Sequence, residues 1–121
     1  IGIELVQEAA EAAAKNAALN GLDNCRFVAG DVFDVLSTID DKPDVIVVDP
    51  PRAGIQQKAL DKILGYGVEQ ILYISCNPKT LMDNLRYMEY CGYRCDYLKP
   101  FDNFPFTKHV ECVVLMSKVK E

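Results

Sequence analysis

Short apolar runs of strand length alternate with periodic, helix-length segments along nearly the whole chain. This alternation limits the fold more than any other feature. Strands that recur between helices pair in parallel, and the helices then cover both faces of one doubly wound α/β sheet. Residues 1–4 read as the tail of a strand, and residues 7–19 as an Ala-rich helix stopped by Asn20-Gly21. Residues 25–29 form the next strand, and Asp31 is placed to cap a short helix ending at Leu36. Residues 44–48 are an uninterrupted, mostly β-branched strand, the most buried-looking of the set, followed by a loop over 49–54 and a helix over 56–64. A strand over 69–75, a helix over 79–90 ended by Gly92, and two final strands over 93–99 and 109–118 complete the reading. Those last two are expected to form an antiparallel pair joined by residues 100–108. There are no repeats, low-complexity stretches or internal linkers.

With 121 residues, half of them hydrophobic, the chain can bury one modest core. No apolar run is long enough to span a bilayer, so no membrane partner is expected. The chain opens on Ile1 within a strand-like segment, and the expectation is a fragment of a longer protein. A net charge of −5 argues against generic nucleic-acid binding, so an RNA partner needs a local basic face or another domain. Arg52, Lys58, Lys62, Lys79 and Arg86 could supply part of such a face, although a solvated helix surface is the commoner role for such residues. The five cysteines lack metal-ligand spacing, and no metal site is expected. Cys25, Cys91, Cys95 and Cys112 read as small buried hydrophobes in a reducing compartment, which implies a cytoplasmic location.

Cys76 stands apart from those four. It follows the apolar run Ile71-Leu72-Tyr73-Ile74-Ser75 and directly precedes Asn77-Pro78. Asn77 is a good N-cap and Pro78 a good first helical residue, so the thiol falls at a strand-to-helix turn. The positive end of a helix dipole favours thiolate, which makes Cys76 a candidate nucleophile.

Ligands of doubly wound sheets bind beyond the carboxyl ends of the strands. Four consecutive strand ends here carry chemistry: Glu4, Gly30-Asp31, Asp49-Pro50-Pro51-Arg52 and Cys76-Asn77-Pro78. Glu4 could bond ribose hydroxyls or simply favour the following helix N-terminus. Asp31 could accept from an adenine amino group, act as a plain N-cap, or do both. Two prolines stiffen the loop behind Asp49, and a carboxylate ending an all-apolar strand needs partners, which favours function over a bare turn. Glu111 interrupts the run from Val110 to Met116. If buried, it would hold its proton more tightly and suit a base working near neutrality, the alternative being an inward charge that protects a sheet edge. His109 shares its face by alternation and is read as structural. Phe101, Phe104 and Phe106 around Pro105 could flank a flipped base, but packing of a hairpin onto the sheet is favoured.

A thiol nucleophile and a separate carboxylate suit covalent catalysis with proton abstraction. Pyrimidine C5 is unreactive until a nucleophile adds at C6. The resulting enolate can attack an electrophile through C5, and a base must then take the C5 proton so that the thiol can leave.

These residues together resemble the RNA uracil-5-methyltransferase family, whose members act on tRNA and on 23S ribosomal RNA. The matching stretches are Ile3-Glu4 with the helix to Asn20-Gly21, Gly30-Asp31, the loop from Asp49 to Gly54, Tyr73 through Cys76-Asn77-Pro78 to Leu81, and Phe104-Pro105-Phe106-Thr107-Lys108-His109-Val110-Glu111. The Ser-Cys-Asn-Pro and His-x-Glu elements are specific, whereas Glu4 and Asp31 are generic to class I methyltransferases. The resemblance implies a truncated Rossmann-like sheet of the class I S-adenosylmethionine-dependent kind, with residues 1–121 forming the carboxyl-terminal part of the catalytic domain. It implies Cys76 as nucleophile, Glu111 as general base, and Glu4, Asp31 and Asp49 as contacts to S-adenosylmethionine. Asp49, Arg52 and Asn77 become candidate contacts to a flipped uridine. Ribosomal RNA is expected in preference to tRNA.

The family's Gly-rich turn, its amino-terminal RNA-binding portion and, in many members, an iron–sulfur cluster have no counterpart here. In the family sheet the first strand lies between the strands ending at Glu4 and Val48. A gap, a rearranged strand or strand-mediated self-association is therefore expected, together with little or no activity from these residues alone. The competing readings are an amino-group methyltransferase acting on N6 of adenine or N2 of guanine, which also uses Asp-Pro-Pro but usually places an aromatic where Arg52 stands, and a non-catalytic α/β fragment.

Overall fold

The computed structural model describes residues 1–120. Its elements alternate as strand, helix, strand up to the final strand pair, and the backbone separates into two compact units, residues 1–41 and 42–121.

In the first unit, β1 (Gly2–Glu4) pairs in parallel with β2 (Phe27–Ala29), and α1 (Gln7–Leu19) connects them. The helix ends where Gly21 takes a φ of 68°, a left-handed turn that glycine adopts without Cβ strain. Ala10 and Ala17, seven positions apart, are its buried residues, which fits a helix lying close against a neighbour. The short α2 (Val32–Leu36) starts as expected at Asp31, whose carboxylate accepts from the Phe33 amide at 2.8 Å. Gly30 cannot be replaced easily, because a Cβ there would stand 2.8 Å from the Val35 side chain.

The second unit carries the main core. Its sheet runs in the order β3 (Val45–Val48), β4 (Gln70–Ser75), β6 (Glu111–Lys118), β5 (Tyr93–Phe101). The β3–β4 pair is parallel, while β6 runs antiparallel to both neighbours. Register explains the burial pattern. Ile71 faces Met116, Tyr73 faces Val114 and Ser75 faces Cys112, and all six are buried. Helix α3 (Gln57–Gly65) contributes buried Leu60 and Ile63, and α4 (Pro78–Tyr90) contributes Leu81, Leu85 and Met88 at helical spacing. Burying a side chain of this size stabilises the fold by roughly 1.5–3 kcal/mol. The alternate sheet positions, including Leu72, Ile74, Val113 and Leu115, are only half-buried.

The expected break in the sheet is present: the described strands form two sheets, and β1 and β3 each pair on one side only. Other expectations change. Strand β3 is not the most buried strand. Val45 is 50% and Val47 59% exposed on one face of the strand; β-branched composition reports strand preference and says nothing of which face is covered. Strand β5 extends through Pro100 to Phe101, which is possible because it is an edge strand and a missing N–H there breaks no inner ladder. Strand β6 starts at Glu111, so His109 lies in the loop before it, with its amide donating to Thr107 Oγ1. Of the four cysteines read as buried, only Cys112 is. Cys25 lies in a loop, Cys91 caps α4 and Cys95 sits on the edge strand, and all three are exposed.

Candidate active site

The turn after β4 is built from its own residues. The Ser75 hydroxyl is buried, donates to the Asn77 carbonyl at 3.0 Å and accepts from the Asn77 amide at 3.0 Å. Cys76 is thereby gripped from both sides at a half-exposed position. Asn77 caps α4 by accepting from the Lys79 amide at 3.1 Å, with Pro78 first in the helix, as its sequence indicated. The thiol therefore sits one residue before the cap of a thirteen-residue helix.

Glu111 reaches the same place from the other direction. Ser75 is the last β4 residue paired with β6, and its partner is Cys112. Cys76 follows Ser75 and Glu111 precedes Cys112, so both residues flank this end of the β4–β6 ladder. Glu111 alternates with buried Cys112 and so shares the half-buried face with Val113 and Leu115. Cys112, on the opposite face, is the less reactive thiol: burial first, and the Glu111 charge second, push its pKa up.

Asp49 follows β3 directly, at the same carboxyl end of the parallel pair β3–β4. Its carboxylate is exposed and makes no hydrogen bond or ion pair among the described residues. Arg52 is also exposed. Its carbonyl accepts from Asn77 Nδ2 at 2.9 Å and from Thr80 Oγ1 at 3.0 Å. Further along the loop, the Ile55 amide donates to Asn84 Oδ1 at 2.9 Å, and Asn84 Nδ2 donates to the Ile55 carbonyl at 2.9 Å. The Tyr73 hydroxyl donates to the same Asn84 oxygen. Burial first, then the neighbouring Cys76, push the Tyr73 pKa up to about 12, so its phenol is a donor at neutral pH.

One face of α4 therefore ties the Asp49 loop to the turn that carries Cys76. The sequence pattern assigns no role in the site to Tyr73, Ser75, Thr80 or Asn84. A signal was present: Asn77, Thr80 and Asn84 recur at helical spacing, a polar stripe on a helix whose other face is core.

Glu4 and Asp31 lie in the first unit, at the carboxyl ends of adjacent parallel strands, and the Gly30 amide donates to the Glu4 carbonyl at 2.9 Å. Each exposed carboxylate spends one oxygen locally, Glu4 on the Val6 amide at 3.1 Å and Asp31 on the Phe33 amide at 2.8 Å. The second oxygen of each takes no hydrogen bond from another described residue, which fits a ligand rich in hydroxyl and amino donors. Asp31 thus serves as an N-cap and keeps acceptor capacity. Among the described residues no cluster of three or more His, Cys, Asp or Glu side chains is placed to hold a metal ion, and no helix is long and apolar enough to cross a membrane.

An uncharacterized RNA methyltransferase of Caldanaerobacter subterraneus subsp. tengcongensis is 51% identical over 118 residues, covering 98% of this chain and 26% of the relative. One from Clostridium tetani is 49% identical over 114 residues, covering 94% of this chain and 25% of the relative. The chain thus spans about a quarter of the length of these relatives. Among solved structures, the tRNA (uracil-54, C5)-methyltransferase of Pyrococcus abyssi, determined with S-adenosyl-L-homocysteine, superposes with a TM-score of 0.79 at 31% identity, over 95% of this chain and 28% of that one. An rRNA methylase of Streptococcus thermophilus superposes at 0.74 with 11% identity, over 98% of this chain and 72% of that one, a likeness of fold alone. The fold is the Rossmann-like one of class I methyltransferases. The family model described as tRNA (Uracil-5-)-methyltransferase matches residues 1–119, and the chain belongs to that family.

Proposed function

We propose that the protein containing this chain methylates uridine C5 in RNA through a covalent adduct on Cys76. The observation that supports this reading is the last pair of the β4–β6 ladder, Ser75 with Cys112, beyond which Cys76 and Glu111 follow at the rim of the sheet. An amino-group methyltransferase has no use for that thiol and carboxylate.

The Cys76 thiolate adds to uracil C6, and the C5–C6 π electrons move onto the C4 oxygen as an enolate. S-adenosylmethionine, when bound, supplies the electrophilic methyl group that C5 takes. Glu111 then accepts the C5 proton. The released electron pair rebuilds the C5–C6 double bond as the sulfur–C6 bond breaks, which returns Cys76 as thiolate. Glu4 and Asp31 hold the ribose and adenine of the donor through their uncommitted oxygens. Asp49, with Arg52 and Asn77 beside it, meets the polar edge of the extruded base. The clamp through Thr80 and Asn84 keeps that loop in place and saves reorganisation at the moment of reaction.

The substrate is taken to be ribosomal RNA in the cytoplasm, with tRNA, named for the Pyrococcus relative, as the competitor. The 121 residues alone are expected to show no methyl transfer. The test is RNA carrying 5-fluorouridine. Fluorine cannot leave as a proton, so the full-length protein should accumulate a stable protein–RNA adduct that maps to Cys76 and is absent from Cys76→Ala. Methylation without such an adduct would refute the mechanism, and base mapping of the methylated product in both RNAs identifies the substrate.

A further inference from the structure

The loop joining β5 to β6 does not pack its aromatic residues as their spacing suggested. Phe101 and Phe104 are partly exposed, and Phe106 is fully exposed at 107% of its reference area. Phe106 is also the only described non-glycine residue with a positive φ, 64°. Two unfavourable features coincide at one position: a left-handed backbone that disfavours a Cβ, and a large apolar ring in water. The turn that enforces them is well tied. The Thr107 amide and hydroxyl donate to the Phe104 carbonyl at 3.2 and 2.7 Å, and the His109 amide donates to Thr107 Oγ1 at 3.2 Å. Local strain of this kind persists where it has a use.

The position suggests the use. Phe106 precedes Glu111 by five residues, so the ring is displayed from the loop that feeds the rim holding Cys76 and Glu111. Exposed Lys99 and Lys108 flank it, against one acid, Asp102, and the Lys99 ammonium lies 5.3 Å from the centre of the Phe101 ring. Aromatic faces interleaved with cations are the chemistry that receives single-stranded nucleic acid, since every base has a face to stack and a phosphate beside it.

We infer that Phe106 stacks on an unpaired base of the RNA substrate next to the uridine extruded towards Cys76, with Lys108 and Lys99 near its phosphates. This rests on the proposed RNA methylation and adds to it the residue that receives the neighbouring nucleotide. Extruding a uridine leaves its neighbour unstacked, and an aromatic ring offers that base a replacement surface.

Phe106→Gly separates this role from packing. Glycine accepts the left-handed conformation, so the full-length variant should melt at the same temperature as the parent or higher. Its Kd for unmodified in vitro transcripts of 23S ribosomal RNA or tRNA, measured without methyl donor, should weaken by roughly tenfold. KM should rise in parallel with kcat little changed, and Phe106→Tyr should stay near the parent. Unchanged Kd in Phe106→Gly would overturn the inference. So would a melting temperature lowered by several degrees and restored by Phe106→Leu together with binding, the outcome expected if another segment of the protein covers the ring. Because Kd is read without chemistry, a failure of uridine C5 methylation would appear separately, in the mass of the RNA product.

Discussion

The Tyr73 hydroxyl and Asn84 Oδ1 lie 2.7 Å apart and join the strand leading to Cys76 with the helix that follows it. Asn84 also holds Ile55 through both of its backbone groups. Asn84→Ala removes three hydrogen bonds at a half-buried position and should cost about 2 kcal/mol of stability, since the stranded groups are poorly hydrated. In the full-length enzyme it should lower methyl transfer by roughly tenfold to a hundredfold, because the Asp49 loop loses its anchor. Asn84→Asp keeps the acceptor and loses the donor, and should fall between. Denaturant melts and single-turnover rates measure the two effects, and a rate unchanged in Asn84→Ala would remove the clamp from the mechanism.

Glu111→Gln should separate bond formation from bond breaking. The amide cannot take the C5 proton, yet Cys76 and its turn are untouched. Turnover should fall by a hundredfold or more, in the range typical of a lost general base. Unlike Cys76→Ala, this variant should retain ordinary, unfluorinated RNA as a covalent complex visible on a denaturing gel. Fast turnover with no trapped complex would assign proton removal to another group.

Much of this site was legible because its signals are local. Asn77-Pro78 announced a helix start, Gly21 and Gly92 announced helix ends, and Asp31 before a short apolar segment announced a cap, each through chemistry within a few residues. That Cys76 and Glu111 both lie at one end of the β4–β6 ladder could be anticipated only through resemblance to known enzymes, since the register that brings such distant residues there is set by the whole ladder. The exposure of Val45 and Val47 was hidden because a strand's composition does not say whether one or both of its faces are covered. Phe104 and Phe106 were misread for a related reason. Aromatic spacing is the same in a packed hairpin and in a loop that holds its rings outward, and the difference lies in the left-handed backbone at Phe106.

Tyr73 gives the second unit an alkaline weakness. Its folded-state pKa, raised from 10.0 to about 12 by burial and then by Cys76, lies above the value in the unfolded chain. The folded state therefore holds the phenolic proton more tightly. The stabilisation is complete below pH 10 and is lost as pH rises towards 12. Tyr73→Phe should flatten this part of the stability profile, while losing about 1 kcal/mol at neutral pH with the bond to Asn84. Denaturant melts at a series of alkaline pH values test both statements, and an equally steep alkaline loss in Tyr73→Phe would assign the effect to other groups.

Gly54 should tolerate no side chain. Its φ is 76°, and a Cβ there would stand 2.9 Å from Asn84 Oδ1 and 3.2 Å from Thr80 Cβ. Gly54→Ala adds the cost of a left-handed alanine, about 1–2 kcal/mol, to a collision with the clamp itself. Loss of stability should therefore exceed that of Gly21→Ala, where the backbone is also left-handed but nothing lies within 4 Å. Equal melting temperatures for the two variants would mean that the loop yields without disturbing Asn84.

Strand β3 presents the most direct test of how the 121 residues behave alone. Among the described residues it pairs only with β4, on one edge of its backbone, and Val45 and Val47 are both at least half exposed. An apolar edge of this kind templates pairing with a second chain. Sedimentation of the 121-residue chain should show association that grows with concentration. A lysine at an exposed edge position opposes that pairing by charge repulsion and desolvation, so Val47→Lys should stay monomeric with little change in far-ultraviolet circular dichroism. Thr38→Lys, in the first unit, serves as the control for added charge. A parent chain that stays monomeric at every concentration, or equal protection by Val47→Lys and Thr38→Lys, would show that the β3 edge drives no association.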